Sequence, residues 1–144
     1  MKRSDNEEVP NEITEVARVD SIPVFLEFVS KHVWEAGFDN ERTRLINLAV
    51  EEALQNIIRF ACLDGKSSIT IACSVHESGA LMINISDTGI PFNMLISSSF
   101  PEAEDFVEPG QIPSTKIMKK VIGNIEYKRG VNRNILIFTI MRML

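Results

Sequence analysis

The sequence predicts an α+β fold of two layers, in which helices cover one face of a mixed, mostly antiparallel sheet. Three observations carry that expectation. Ser68 to Val75 alternates apolar and polar residues, and Leu81 to Ser86 resumes the alternation after the short connection Glu77-Ser78-Gly79. This reads as an antiparallel hairpin with one covered face. Leu45 to Cys62, LINLAVEEALQNIIRFAC, is rich in helix formers and free of Gly and Pro, so it reads as one long helix. At 144 residues, with no internal repeat and no linker, the chain fits a single domain with its own core.

Taken in order, residues 1–11 read as a flexible tail and 12–144 as the domain; the tail has no apolar segment and so does not read as a signal peptide. Glu12 to Val19 reads as an edge strand. Asp20-Ser21 offers a helix cap with Pro23 in the first turn, and Val24, Phe25, Phe28, Val29, Val33 and Trp34 keep a 3.6-residue period until Gly37 stops it. Trp34 is assigned to the core on that pattern. Asp39 and Asn40 are candidate caps for the second helix, and Leu63-Asp64-Gly65-Lys66 is a turn. Within the hairpin Ile69, Ile71, Cys73 and Val75 face one way with Leu81, Ile83 and Ile85.

Residues 93–113 differ in character, holding three of the six prolines and four acidic residues, and read as a long functional or mobile loop. Helical pattern returns from Ser114, a candidate cap, to Ile122. A strand over Ile125–Lys128, a turn over Arg129–Asn134 around Gly130 and a last strand over Ile135–Met141 complete the chain. The last strand is apolar on both faces, which makes it either central in the sheet or part of an oligomer contact.

Composition excludes several classes. Hydrophobic residues make up 44% and mean hydropathy is +0.03, yet no apolar run reaches the ~18 residues of a membrane span, so a cytoplasmic globular protein is expected. A net charge of −5 argues against nucleic-acid binding, which calls for a basic patch. Cys62 and Cys73 have no metal-ligand spacing and read as small buried hydrophobes of a reducing compartment. His32 and His76 belong to no metal or nucleophile motif.

The chemistry concentrates in two stretches. On the long helix, Ala49, Ala53, Ile57 and Phe60 form an apolar stripe, and Glu52 and Asn56 sit one turn apart at its edge. Alone, such a pair is either a solvated polar edge or a carboxylate and an amide presented together for chemistry. The second stretch, Asp87-Thr88-Gly89-Ile90-Pro91-Phe92, follows a strand and ends in a turn, and the two in this order favour chemistry.

With these motifs the sequence resembles the GHKL (Bergerat-fold) ATPases, and among them the anti-sigma-factor serine/threonine kinases of bacterial partner-switching systems, over roughly residues 12 to 143. Glu52-Ala-Leu-Gln-Asn56 matches the family's Glu-x-x-x-Asn helix, and Asp87-Thr-Gly89-Ile-Pro91-Phe92 matches its Asp-x-Gly-x-Pro-Phe. The resemblance implies ATP and Mg²⁺ as cofactors. It implies Asn56 as a Mg²⁺ ligand, Glu52 as general base, Asp87 as acceptor of the adenine amino group and Gly89 as the point of backbone approach to the base. These residue types suit a hard cation and a proton acceptor for phosphoryl transfer.

The family's glycine-rich phosphate cradle is not reproduced. Ile112-Pro113-Ser114-Thr115 align with its glycines, and Pro113 donates no NH. The candidate phosphate contacts are then Gly110, with Gln111, in a shifted register, together with Thr115 and Lys116; the ammonium of Lys116 either compensates for the lost NH groups or is solvated. Phe60, next to Arg59, stands where the family often has a histidine. Two functions remain in view. One is a kinase that phosphorylates a STAS-type anti-anti-sigma protein and binds a sigma factor. The other is a non-catalytic module with a degenerate nucleotide site that sequesters a protein partner. The family also implies a homodimer. A sensor histidine kinase is not expected, because no phosphoacceptor helix pair precedes residue 12.

Overall fold

A computed structural model describes residues 11–97 and 112–142. Five strands, β1 (Glu12–Val16), β2 (Ser68–Val75), β3 (Leu81–Asp87), β4 (Asn124–Gly130) and β5 (Arg133–Ile140), form one sheet in the order β1-β2-β3-β5-β4. All four pairings are antiparallel, so the parallel component expected of a mixed sheet does not occur among the described residues. The α+β layering stands, with helices α1 (Ile22–Glu35), α2 (Asn40–Asn56), α3 (Met94–Ser97) and α4 (Lys116–Val121).

Register explains the core. Ile71, Ile85 and Leu136 are cross-strand neighbours, as are Cys73, Ile83 and Phe138, and all six lie in the hydrophobic core with Phe25, Val29 and Val33 of α1 and Ala49, Ala53 and Leu54 of α2. Fully burying one of the larger of these, such as Phe25, Ile85 or Leu54, contributes about 1.5–3 kcal/mol. Two residues on from Ile85 and two before Leu136, the same face of the sheet ends in Asp87 opposite Asn134. The pleat therefore carries a carboxylate and a carboxamide into the interior at one end of the core. β5 lies between β3 and β4, which accounts for its apolar residues on both faces.

Several boundaries differ from the sequence reading. Asp39 caps α2, accepting a hydrogen bond from Arg42 N at 2.8 Å, and Gly37, at φ +100°, follows the end of α1. Trp34, however, is 62% exposed. The buried stripe of α1 runs through Ile22, Phe25, Val29 and Val33, and the next residue is turned about 100° away from it. β5 begins two residues earlier than expected, and the turn before it tightens to Val131-Asn132, with Asn132 at φ +56°. Ser114 does not cap α4 with its side chain; the cap position falls to Thr115. Of the long loop, residues 93–97, including α3, and residues 112–113 are described; its centre, Gly110 and Gln111 lie outside the described residues, as does nearly all of the N-terminal tail. No helix among the described residues is long and apolar enough to cross a membrane.

The long helix also changes character. It is α-helical to Asn56 and then opens into a π turn over Ile57–Ala61, closed by Cys62 N bonding to Ile57 O at 2.9 Å. The extra residue rotates everything after it, so Phe60 is only half-buried and instead stacks on Phe92 at 5.6 Å. The last turn of this helix is thereby aimed at the segment that follows β3.

Candidate functional site

Glu52 and Asn56 are both buried, at 7% and 6% exposure, and both line a cleft of about 710 Å³. That volume falls in the range of roughly 300–1,000 Å³ typical of small-molecule sites. Val19 and Ile22 line it on one side, Phe60 at the π turn, and Ile112, Ser114 and Ile117 toward α4. The two helical residues thus do not project to solvent as an ordinary polar edge. They turn toward α4 and the residues preceding it.

Each is committed to a specific partner there. The carboxylate of Glu52 accepts from Met118 N at 2.8 Å through Oε1, and through Oε2 from Ser114 Oγ at 2.8 Å and Ile117 N at 3.3 Å. A carboxylate from α2 therefore satisfies two of the unpaired amides that begin α4, and its charge suits the positive end of the backbone dipoles. Asn56 donates from Nδ2 to the Ser114 carbonyl at 2.8 Å and to Met94 Sδ at 3.5 Å. Ser114 is consequently held at its hydroxyl by one of these residues and at its carbonyl by the other.

A second cluster forms where β3 ends. Asp87 is 2% exposed, and its Oδ1 accepts from Gly89 N at 2.8 Å, Asn134 Nδ2 at 3.0 Å and Cys62 Sγ at 3.7 Å. Burial raises the pKa of this carboxyl above the ordinary aspartate range; the hydrogen bonds from Asn134, Gly89 and Cys62 and the nearby charge of Arg129 oppose that rise in part. Cys62 is a thiol pushed up to about 12, first by burial and then by the Asp87 charge, so it stays protonated and able to donate. Asn134, 4% exposed, uses both ends of its amide: Nδ2 also bonds the Ile90 carbonyl at 2.8 Å, and Oδ1 accepts from Phe92 N at 3.0 Å and Tyr127 OH at 2.6 Å. Arg129 donates to the Gly89 carbonyl at 3.1 Å.

Gly89 is the joint between the two clusters. A Cβ there would lie 2.3 Å from the carbonyl oxygen of Ala61, the last residue of the π turn, and 2.9 Å from Asp87 Oδ1. The same carbonyl accepts from Ile90 N at 3.0 Å. Glycine is required here for space and not for an unusual φ.

Of the residues singled out from sequence, Glu52 and Asn56 meet at the cleft, while Asp87 and Gly89 meet one π turn away and do not line it. Thr115 is buried just before α4 and its carbonyl accepts from Lys119 N at 3.0 Å; Lys116 is exposed on the first turn of α4. Two residues were missed. The sequence reading places Asn134 in a turn, although it shares strand parity with Leu136, Phe138 and Ile140, and a polar side chain in a core-facing row is the available signal. The contact of Ser114 with Glu52 spans 62 positions, and nothing in the sequence marks it.

Comparison with known proteins agrees with this fold. Sequence comparison with curated proteins finds no match. Among solved structures, the RsbU and RsbW domains of Rv1364c from Mycobacterium tuberculosis superpose with a TM-score of 0.65 at 14% identity, over 93% of this chain and 32% of that one. The blue-light activated histidine kinase of Erythrobacter litoralis EL346 gives 0.55 at 20% identity, over 73% of this chain and 32% of that one. The nucleotide-free catalytic domain of histidine kinase ThkA gives 0.55 at 14% identity, over 91% and 95%. This chain thus spans about a third of the first two, and at these identities the likeness is one of fold. The model of the histidine kinase-like ATPase domain matches residues 16–140, nearly the whole described sheet and all of its helices, and the chain belongs to that family.

Proposed function

We propose that this chain is an ATP-dependent serine/threonine protein kinase of the anti-sigma-factor type, acting on a STAS-type partner protein and engaging a sigma factor. One observation carries the reading: the buried Glu52 carboxylate already accepts a hydrogen bond from a serine hydroxyl at 2.8 Å, one helical turn from Asn56. That is the contact a general base makes with the hydroxyl it deprotonates. Mg²⁺ fits the donor set, since it takes one or two protein oxygens and completes its shell with phosphate oxygens and water, and the Asn56 side-chain oxygen is such a donor. The bound ion would neutralise phosphate charge. Asp87, with Oδ1 held by Gly89, Asn134 and Cys62, would present its other oxygen to an exocyclic amino group of the base.

The two chain segments divide the work. The π turn and Gly89 set the spacing between base and phosphate ends, while Glu52 and Asn56 orient the acceptor hydroxyl and the cation. The alternative, a non-catalytic binding module, is favoured by the way Glu52 is spent on Ile117 N and Met118 N, amides that a phosphate would otherwise meet. Transfer of labelled phosphate from Mg-ATP to a serine of a STAS partner decides between them. Wild-type protein should transfer and Glu52→Ala should lose at least about 10²-fold in rate, the usual contribution of a general base, while still capturing the partner. Loss of capture along with transfer would assign Glu52 a purely structural role.

A further inference from the structure

Ser114 differs from every other serine described here in being bonded to both residues of the cleft. Its hydroxyl donates to Glu52 Oε2 at 2.8 Å, its carbonyl accepts from Asn56 Nδ2 at 2.8 Å, and the residue itself is exposed and borders the cleft. It thus occupies the place of an acceptor serine with respect to the proposed base and the proposed metal ligand. We propose that Ser114 is a phosphorylation site of this chain itself, modified by the phosphoryl group of a nucleoside triphosphate bound in the same cleft. This rests on the kinase reading and extends it to the chain's own residue.

The step balances without any further reactant. The Ser114 Oγ–H proton passes to Glu52 Oε2, and a bond forms between Oγ and the terminal phosphorus. The bond from that phosphorus to its bridging oxygen breaks, and the nucleoside diphosphate leaves with the electron pair. Nothing is oxidised or reduced. Because acceptor and base belong to one chain, the rate per molecule is independent of protein concentration.

The modification has a structural consequence that can be read apart from turnover. A phosphoserine carries about −1.5 to −2 charges at neutral pH, and here it would lie against the Glu52 carboxylate. That carboxylate is the group holding Ile117 N and Met118 N at the head of α4. Like-charge repulsion drives it from Ser114, and the Glu52 hydrogen bonds to the head of α4 are weakened. Self-phosphorylation therefore opens the cleft on its α4 side.

The full chain, without any partner protein, is incubated with Mg-ATP and its phosphosites are mapped by mass spectrometry, while calorimetry with Mg-ADP reports nucleotide binding separately. One phosphate on Ser114 is expected, with a first-order rate unchanged on tenfold dilution, abolished by Ser114→Ala and retained by Ser114→Thr. In parallel, amide exchange at Ile117 and Met118 should speed up by about tenfold or more in Ser114→Asp relative to Ser114→Ala. If nucleotide binds but Ser114 stays unmodified, or another residue takes the phosphate, the inference is overturned and the kinase reading is untouched. If nucleotide fails to bind at all, both fall together. Unchanged exchange in Ser114→Asp would overturn the proposed release of α4 even where Ser114 is labelled.

Discussion

At the scale of single residues, the fate of Asp87 is governed by burial against hydrogen bonding. Its carboxyl is raised above the ordinary value because desolvation outweighs the bonds from Asn134, Gly89 and Cys62. The folded chain then binds this proton more tightly than the unfolded chain, whose aspartate titrates at about 3.9. The sign follows: the contribution of Asp87 to stability is fully present below the unfolded value and is lost as pH rises through the raised folded value. Asp87→Asn keeps an oxygen acceptor for Gly89 N and Asn134 Nδ2 and removes the buried charge. In chemical denaturation from pH 4 to pH 8, variant and wild type should be nearly equal at the acid end, with the variant gaining as pH rises. A gap that closes toward pH 8 would mean that the hydrogen bonds win. What could be read from sequence at this scale followed local spacing. Glu52 and Asn56 are one turn apart, and Asp87 and Gly89 are two residues apart. The partners that complete each cluster, Ser114 for Glu52 and Asn134 for Asp87, are 62 and 47 positions away and become visible only through packing.

Elements add what residue spacing cannot. The run to Cys62 is legible as a helix because apolar periodicity and propensity agree, but both tests are blind to the switch from α to π at Ile57. One extra residue per turn shifts the phase by about 100° without changing composition. That switch has a defined use: it brings the Ala61 carbonyl against Gly89 and Phe60 onto Phe92, fastening the end of α2 to the segment after β3. Gly89→Ala tests the joint. Its new methyl would begin 2.3 Å from a backbone oxygen, a clash that no rotamer relieves, and overpacking of this kind costs about 1–3 kcal/mol. Urea titration should show that loss, together with weaker protection of the Ile90 amide, which bonds the same carbonyl. A variant as stable as wild type would show that the turn relaxes to ordinary α geometry when crowded. Trp34 makes the complementary point. A helical period assigns faces only to within a residue or so, and Val33 took the buried position that Trp34 could have filled.

Over the whole molecule, one sheet row joins the proposed nucleotide contact to stability, because Asp87 and Asn134 cap the same core face that Ile85 and Leu136 continue. Fold class was legible from alternation and helix periodicity because both arise locally. The all-antiparallel strand order was not, since it depends on how β5 inserts between β3 and β4. The coupling makes ligand binding readable as global stability. A nucleotide at about 100 times its Kd should stabilise the folded chain by about 2.7 kcal/mol, which for a chain of 144 residues raises Tm by roughly 5–10 °C. Mg-ATP and Mg-ADP should each produce that shift in wild type, and Asp87→Asn should lose it. The variant is the decisive control because the pH argument expects it to be no less stable than wild type at neutral pH, so a lost shift reports lost recognition and not lost folding. No shift in wild type up to millimolar nucleotide would mean that Glu52 holds the head of α4 closed against phosphate. The cleft would then serve a protein partner alone.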